Sequence, residues 1–486
     1  MSVTTSVAAR AALSVGLMIG FYLLAVTIAG VLLYLPYAEL VYAHRLHLKL
    51  ALLCLVGAAT ILWSILPRLD RFAPPGPQLE RDSNSTLFAE IEGVASATGQ
   101  EMPKEVFLVG DVNAWVAQRG GVMGLFSRRV MGLGLPLLQA LSVSELRAVL
   151  AHEFGHYYGG DTKLGPWVYK TRSAIGRTIA GLGDSWLNKP FQWYGQMFLR
   201  VTNAVSRRQE LSADALASRV VGSRPLVEGL KKVQAAAPAY DAYWSQEVRP
   251  ILSMGFLPPI ADGFRRFAAH DRIAKAMAGM VEQGLREGRS DPFDTHPPLP
   301  ERIAAVASLP PGPLPASDPP AISLLEDVAA LEREWLVSLS DETRVGALRP
   351  VAWESVVQQA WLPAWREAVS KNAAVLGEAT VADLGEVVQE ASARAAMLSV
   401  AASGESTAEA RAAFVRWLAG AATVLVFDRA GWTIEAPPGA AITARRNGAE
   451  ASPFEVVQKL CDGKLSPEAW RSEADQLGVG PLRLGG

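Results

Sequence analysis

The chain has 486 residues, half of them hydrophobic and 19% charged, with a formal net charge of −2. That length is too great for one small core, and the near-neutral charge argues against a polyanion binder, so no nucleic-acid partner is expected. Two distant cysteines, Cys54 and Cys461, do not make a disulfide framework, while the positive mean hydropathy directs attention to a membrane segment.

The first such segment is at the N-terminus. Ala11 to Leu35 contains no charged residue in 25 positions. As a helix it would reach roughly 37 Å, enough to cross a bilayer with some tilt, and it is too long for the apolar core of a signal peptide. A second apolar run, Leu50 to Leu66, is flanked by Lys49 and Arg68. Two spans form a hairpin and place the rest of the chain on the side of the N-terminus. That side carries Arg10, Arg68, Arg71 and Arg81, against Arg45 and Lys49 in the short loop. The imbalance favours a large domain on the cytoplasmic side of an inner or plasma membrane of bacterial type.

Beyond a polar, proline-rich exit at 67–85, "TLFAEIEGVASATG" predicts an amphipathic helix ending at Gly99. "EVFLVGDVNAWVA" reads as strand, turn, strand, and "RRVMGLGLPLL" as a further strand. "SVSELRAVLAHEFGH" follows. Its Ser142 and Glu145 have capping-box spacing, and Leu146, Val149, Leu150 and Phe154 recur at helical spacing. Residues 162–209 carry Lys170, Arg172, Arg177, Asp184, Lys189 and Arg200 and have no run long enough to cross a bilayer. They are rich in aromatics (Trp167, Tyr169, Trp186, Phe191, Trp193, Tyr194, Phe198), which suit either a membrane interface or an ordinary helical core.

"SLPPGPLPASDPPAI", from Ser308 to Ile322, reads as a semi-rigid linker. A helix-rich region runs on to about Gly431, followed by a small sheet with an Asn447-Gly448 hairpin turn and a last helix. The expected organisation is a membrane hairpin at 1–72, a large mixed domain at 73–307, a linker at 308–322 and a C-terminal domain at 323–486. The fold class is α+β and mostly helical.

His152 and His156 lie four apart on the capped helix, so both imidazoles project from one side and can bind one ion. Glu153, the next residue, can reach a water at that ion without ligating it, which is the H-E-x-x-H logic of zinc hydrolases. A third ligand is required. The remaining histidines are His44, His47, His270 and His296, and the first two lie at the membrane. "SRRQELSADALASRV" offers acids instead: Glu210 and Asp214, four apart on a helix. One carboxylate can ligate, and the other can accept the N–H of a ligating histidine.

"NAWV" from Asn113, "LRAVLAHEFGH", "SRRQELSAD" and "THPPLPERI" from Thr295 occur in the order found in HtpX-like and CAAX-prenyl-endopeptidase-like zinc metallopeptidases, which the chain resembles over roughly Asn113 to Ile303 and in its membrane hairpin. The resemblance implies a zincin-like domain of the gluzincin type. It implies His152, His156 and Glu210 as ligands of Zn2+, Glu153 as general base, and Asp214 as the acceptor behind a ligand. It also places His296 in the distal motif, where it would close the site or steady the oxyanion. Close HtpX relatives carry further hydrophobic spans between the two zinc motifs, which this chain lacks. Residues 323–486 have no counterpart in the resemblance.

The expected activity is zinc-dependent peptide-bond hydrolysis on a protein or peptide substrate, in membrane-protein or misfolded-protein quality control, by a protein held in the lipid bilayer. A substrate strand would pair with an exposed edge supplied near Asn113 or by residues 128–135. Two other readings compete. A site-2-type intramembrane protease shows the same "HEFGH", but here Glu145, Arg147, Asp161 and Lys163 flank the motif and would not tolerate a bilayer. A silent zinc scaffold would close its metal with a fourth protein ligand.

Overall fold

A computed structural model describes residues 2–66, 72–120, 127–157, 165–286, 296–313, 315–340, 342–398 and 407–485. Arg68, Arg71, Asp161, Lys163 and Thr295, used in the sequence reading, lie outside that set. The side chains of Arg10 and Tyr169 lie outside it too. Two compact units are present. One comprises 1–235 with 279–338, and the other comprises 236–278 with 339–486.

In the first unit, α1 (Ser2–Ala43) and α2 (Leu48–Ile65) form the N-terminal hairpin. Both are long and apolar enough to cross a membrane, α1 over Ala12–Ala43. The first helix thus extends past the expected end at Leu35, continuing through Pro36 and Glu39 to Ala43. One face of α1 is buried at Met18, Phe21, Ala25, Ala29 and Leu32, at helical spacing. It meets Cys54, Ala58 and Ile61 of α2. Small residues on both faces let the backbones approach closely, which is how apolar helices associate where lipid offers no hydrophobic drive. Leu23, Val26, Leu53 and Val56 remain exposed.

The next element, α3 (Ser85–Ala97), is the amphipathic helix read from the sequence, with Leu87, Phe88, Ile91, Val94 and Ala95 buried. Strands β1 (Glu105–Val109), β2 (Ala114–Arg119) and β3 (Arg128–Gly134) follow. β1 and β2 are not a hairpin. The sheet order is β1-β3-β2, with β1 parallel and β2 antiparallel to β3. The outer edge of β1 is covered, since Leu79 N–H donates to the Val106 carbonyl and Leu108 N–H to that of Pro77. The central place of β3 removes residues 128–134 as an edge for a substrate and leaves β2.

A short helix, α4 (Leu135–Ala140), leads into α5 (Val143–Gly155). The capping box at the start of α5 is formed. The Glu145 carboxylate accepts from Ser142 N–H at 2.8 Å and also receives Lys232 Nζ at 2.8 Å. Two long helices, α6 (Gly165–Leu182) and α7 (Lys189–Val220), come next and precede α8 (Ser223–Tyr243). Phe191, Tyr194 and Phe198 of α7 join the core of the α1–α2 hairpin, together with Ala174 and Ile175 of α6. Trp167, Trp186 and Trp193 stay exposed. The aromatic segment is therefore core on one face and tryptophan-studded on the other.

The proline-rich stretch is not a free spacer. Val143 N–H donates to the Pro319 carbonyl, Ala321 N–H to Leu141, and Ser223 N–H to Pro310. Asp318 accepts from both the backbone and the hydroxyl of Ser144, capping α5 from outside. Prolines lack N–H groups but keep their carbonyls, so such a segment can strap a surface by accepting. Packing also draws the following helix, Val328–Leu339, into this unit, where Trp335 is buried beside Gly76 and Gly110. Residues 279–338 thus pack in one unit with 1–235.

The second unit is built around the helix Ala408–Arg429, buried from Leu418 to Phe427. It is a third helix with enough length and apolarity to cross a membrane. Its neighbours are other protein residues, among them Trp365, Val387, Trp432 and Trp470. Strands Thr433–Glu435, Thr443–Arg446 and Ala449–Ala451 form a three-stranded antiparallel sheet. Asn447 and Gly448 connect the last two, with φ of 52° and 82°, as a two-residue turn with both φ values positive requires.

Candidate metal centre

Helices α5 and α7 cross at Gly155, where a Cβ would lie 2.9 Å from Ala213 Cα. This close approach brings the two histidines of α5 against the acids of α7. Nε2 of His156 lies 3.4 Å from Oε1 of Glu210, and Nε2 of His152 lies 3.5 Å from Oε2. The two rings are 4.8 Å apart and nearly perpendicular. One donor atom from each of His152, His156 and Glu210 lies within 4.8 Å of the others.

Behind the donors is a second set of contacts. His152 Nδ1 is 2.9 Å from Asp214 Oδ1, so this ring donates its Nδ1–H to the carboxylate and turns Nε2 toward Glu210. Arg302, in the helix Leu299–Val306, grips Asp214 with both arms, at 2.8 Å and 2.7 Å. The sequence reading quoted Arg302 within "THPPLPERI" and gave it no role. The signal was available: a carboxylate buried beside a ligand histidine requires a cation, and the distal motif contains one. His296 Nδ1 lies 2.9 Å from Glu210 Oε2, on a largely exposed side chain. Asn113 is exposed at the entry to β2 and its carbonyl accepts from Gly134 N–H, so it belongs to the sheet and does not join the donor cluster. At the end of α5, the Tyr157 hydroxyl donates to the Val116 carbonyl of β2, which ties the edge strand to the motif helix.

Electrostatics follow from burial. Asp214 is fully buried. Burial would raise its pKa, but the Arg302 guanidinium and His152 hold it below the usual value. Glu210 is lowered in the same way: burial opposes ionisation, and His152 and His296 outweigh it. Glu153 is raised to about 7, chiefly by burial, although part of its surface stays open. His156 is lowered to about 4 by burial and the neighbouring His152 charge.

Two nitrogens and a carboxylate oxygen suit a borderline cation such as Zn2+. Buried Glu210 Oε2 faces the cluster of His152 and His156 without a partner in strict hydrogen-bond geometry. Donor set and the unsatisfied carboxylate oxygen fit a divalent ion.

Two histidines one turn apart on α5 and a glutamate of α7 form a cluster that could hold a metal ion. Residues 82–309, just under half of the chain, match the model of Peptidase family M48. Its relatives are HtpX proteases. Identity to Protease HtpX of Idiomarina loihiensis is 25% over 246 residues, covering 47% of this chain and 73% of the relative. To that of Hahella chejuensis it is 25% over 191 residues, covering 35% and 55%. A Protease HtpX homolog of Tropheryma whipplei is 30% identical over 127 residues, covering 26% and 42%. The chain thus spans about half the length of some of these relatives and under three quarters of the first. No solved structure matches the chain.

Proposed function

We propose that this chain is a membrane-anchored, zinc-dependent endopeptidase that hydrolyses peptide bonds of membrane or misfolded proteins in quality control, with its catalytic domain on the cytoplasmic face. The observation that carries the reading is the convergence of His152 and His156 Nε2 on the two oxygens of Glu210, with Asp214 and Arg302 fixing His152 from behind.

In this reading His152, His156 and Glu210 hold Zn2+, and a bound Zn2+ supplies Lewis-acid activation of water and of the scissile carbonyl. Glu153, beside the ligand histidines on α5, takes the proton of the attacking water and returns it to the leaving amine. Asp214 keeps His152 in the tautomer that presents Nε2. His296, beside Glu210, donates to the oxyanion from the solvent side. The free edge of β2, entered at Asn113, pairs with the substrate backbone. The protein or peptide substrate and the lipid bilayer are its partners.

The test is chelation. Peptide cleavage by the detergent-solubilised chain should vanish with a chelator, return with Zn2+, and be absent in Glu210→Ala. Cleavage that persists in Glu210→Ala at the wild-type rate contradicts the ligand assignment.

A further inference from the structure

The contacts of α6 and α7 with the N-terminal hairpin fix their depth. Arg177 of α6 donates to the Ser64 carbonyl at 2.8 Å, near the end of α2 that joins the catalytic domain. One turn further, Gly181 lies against Thr60. Leu187, in the connection between the two helices, lies with Leu32 against Gly57. The return helix α7 then places Phe191 against Phe21, and the Tyr194 hydroxyl donates to the Leu17 carbonyl at 2.7 Å. Gly57 is about 12 Å along α2 from Ile65, and α2 is about 27 Å long in all. The connection therefore turns back near the middle of that span.

Neither α6 nor α7 is apolar enough to cross a membrane on its own. Their outer surface is mixed. Trp186 and Trp193 are 69% and 66% exposed. Gln192, Gln196 and Arg200 are exposed at four-residue spacing on α7, with Gln192 and Gln196 within about 40° of the Glu210 direction and Arg200 about 80° from it. Asp184 and Lys189, both exposed, flank the turn. Tryptophan suits a lipid contact with a polar edge, and charges at that depth require water to reach them.

We propose that α6 and α7 form a re-entrant hairpin. It enters the bilayer from the side of the metal site, turns at about half depth beside Gly57, and presents Trp186 and Trp193 to lipid. The Gln192, Gln196 and Arg200 stripe keeps water along the flank that leads to Glu210. The occupant of the tryptophan surface is the bilayer, because α6 and α7 pack in one core with α1 and α2, whose outer residues are also exposed and apolar. The proposal rests on those two helices spanning the membrane and is independent of the peptidase reading.

Spin-label depth measurement on the full chain in proteoliposomes tests it. With Cys54→Ala and Cys461→Ser as background, nitroxides are placed at Trp186→Cys, Trp193→Cys and Gln196→Cys. Reference labels sit at Val56→Cys on α2, Leu48→Cys at its far end and Glu92→Cys on α3. Both tryptophans are exposed, so their replacement leaves the core intact. The Trp186 label should match the Val56 label in collision with oxygen, several-fold above Glu92. The Gln196 label should meet a water-soluble nickel chelate several-fold more often than Val56 does. A Trp186 label as aqueous as Glu92 overturns the proposal. A Trp186 label at the level of Leu48 also overturns it, since the hairpin would then cross completely. Both readouts hold whether or not the protein cleaves peptides, so failure here is distinct from failure of the enzymatic reading.

Discussion

Arg302 carries a larger share of the site than its place at the edge of a sequence motif suggests. Its two bonds to Asp214 are what allow a fully buried carboxylate to stay ionised behind His152. Replacing it with Met removes the guanidinium and leaves His152 to hold that charge, and breaking a buried pair from one side costs about 3–5 kcal/mol. Urea unfolding of Arg302→Met should show a loss of that order, whereas a loss below about 1 kcal/mol would mean that Asp214 is not held as described. The same contacts set a pH dependence. In protein stripped of metal, burial opposes protonation of His152, but Asp214 and Glu210 prevail and raise it from 6.5 to about 9. A raised folded-state pKa stabilises below the unfolded value, and that contribution is lost as pH rises through the folded one. Metal-stripped protein should therefore lose stability between about pH 6.5 and 9. Apparent Zn2+ affinity should rise over the same interval, because the ion competes with that proton. A flat affinity profile, measured by competition with a chelating dye, would contradict this. The shared face of His152 and His156 was legible because helical spacing fixes it. The pairing of Arg302 with Asp214 was signalled only by the need of a buried carboxylate for a cation, because it spans 88 residues and no local periodicity encodes that contact.

At the scale of elements, the decisive feature is the crossing of α5 and α7. Gly155 permits it: an added Cβ would press on the backbone of Ala213, one residue before Asp214. Backbone cannot rotate away as a side chain tip can. Gly155→Val should force the helices apart, costing about 1–3 kcal/mol as overpacking does. Zn2+ affinity should fall with it, since Glu210 moves away from the histidines. Thermal unfolding and metal titration check both effects, and a variant that binds Zn2+ as tightly as wild type would show that the crossing tolerates the added bulk. The elements themselves were largely readable: the capping box, the helix at 85–97 and the Asn447-Gly448 turn follow from local chemistry. Sheet order was not, because the place of β3 between β1 and β2 depends on nonlocal pairing. The inward face of α6 and α7 was hidden for a related reason. Their aromatics alternate with charges, and such a pattern fits a membrane wall and a soluble core equally well.

For the whole molecule, two helices long and apolar enough to cross a membrane accompany a segment that matches the M48 peptidase model, and a second, separately packed unit comprises 236–278 with 339–486. Composition announced the membrane part, but apolarity alone does not distinguish a span from a core. The helix Ala408–Arg429 is as long as a span, yet 67% of its most apolar window is buried within the protein, against 28% and 33% in α1 and α2. The proline-rich stretch misleads in the opposite direction, because its carbonyls find donors on α5 and α8. The central claim is that Glu153 moves the proton at a metal held by its neighbours. The most direct measurement is Glu153→Gln in the full chain, assayed together for bound Zn2+ and for casein cleavage. The account predicts Zn2+ at the wild-type stoichiometry with hydrolysis abolished. Cleavage at the wild-type rate would contradict it.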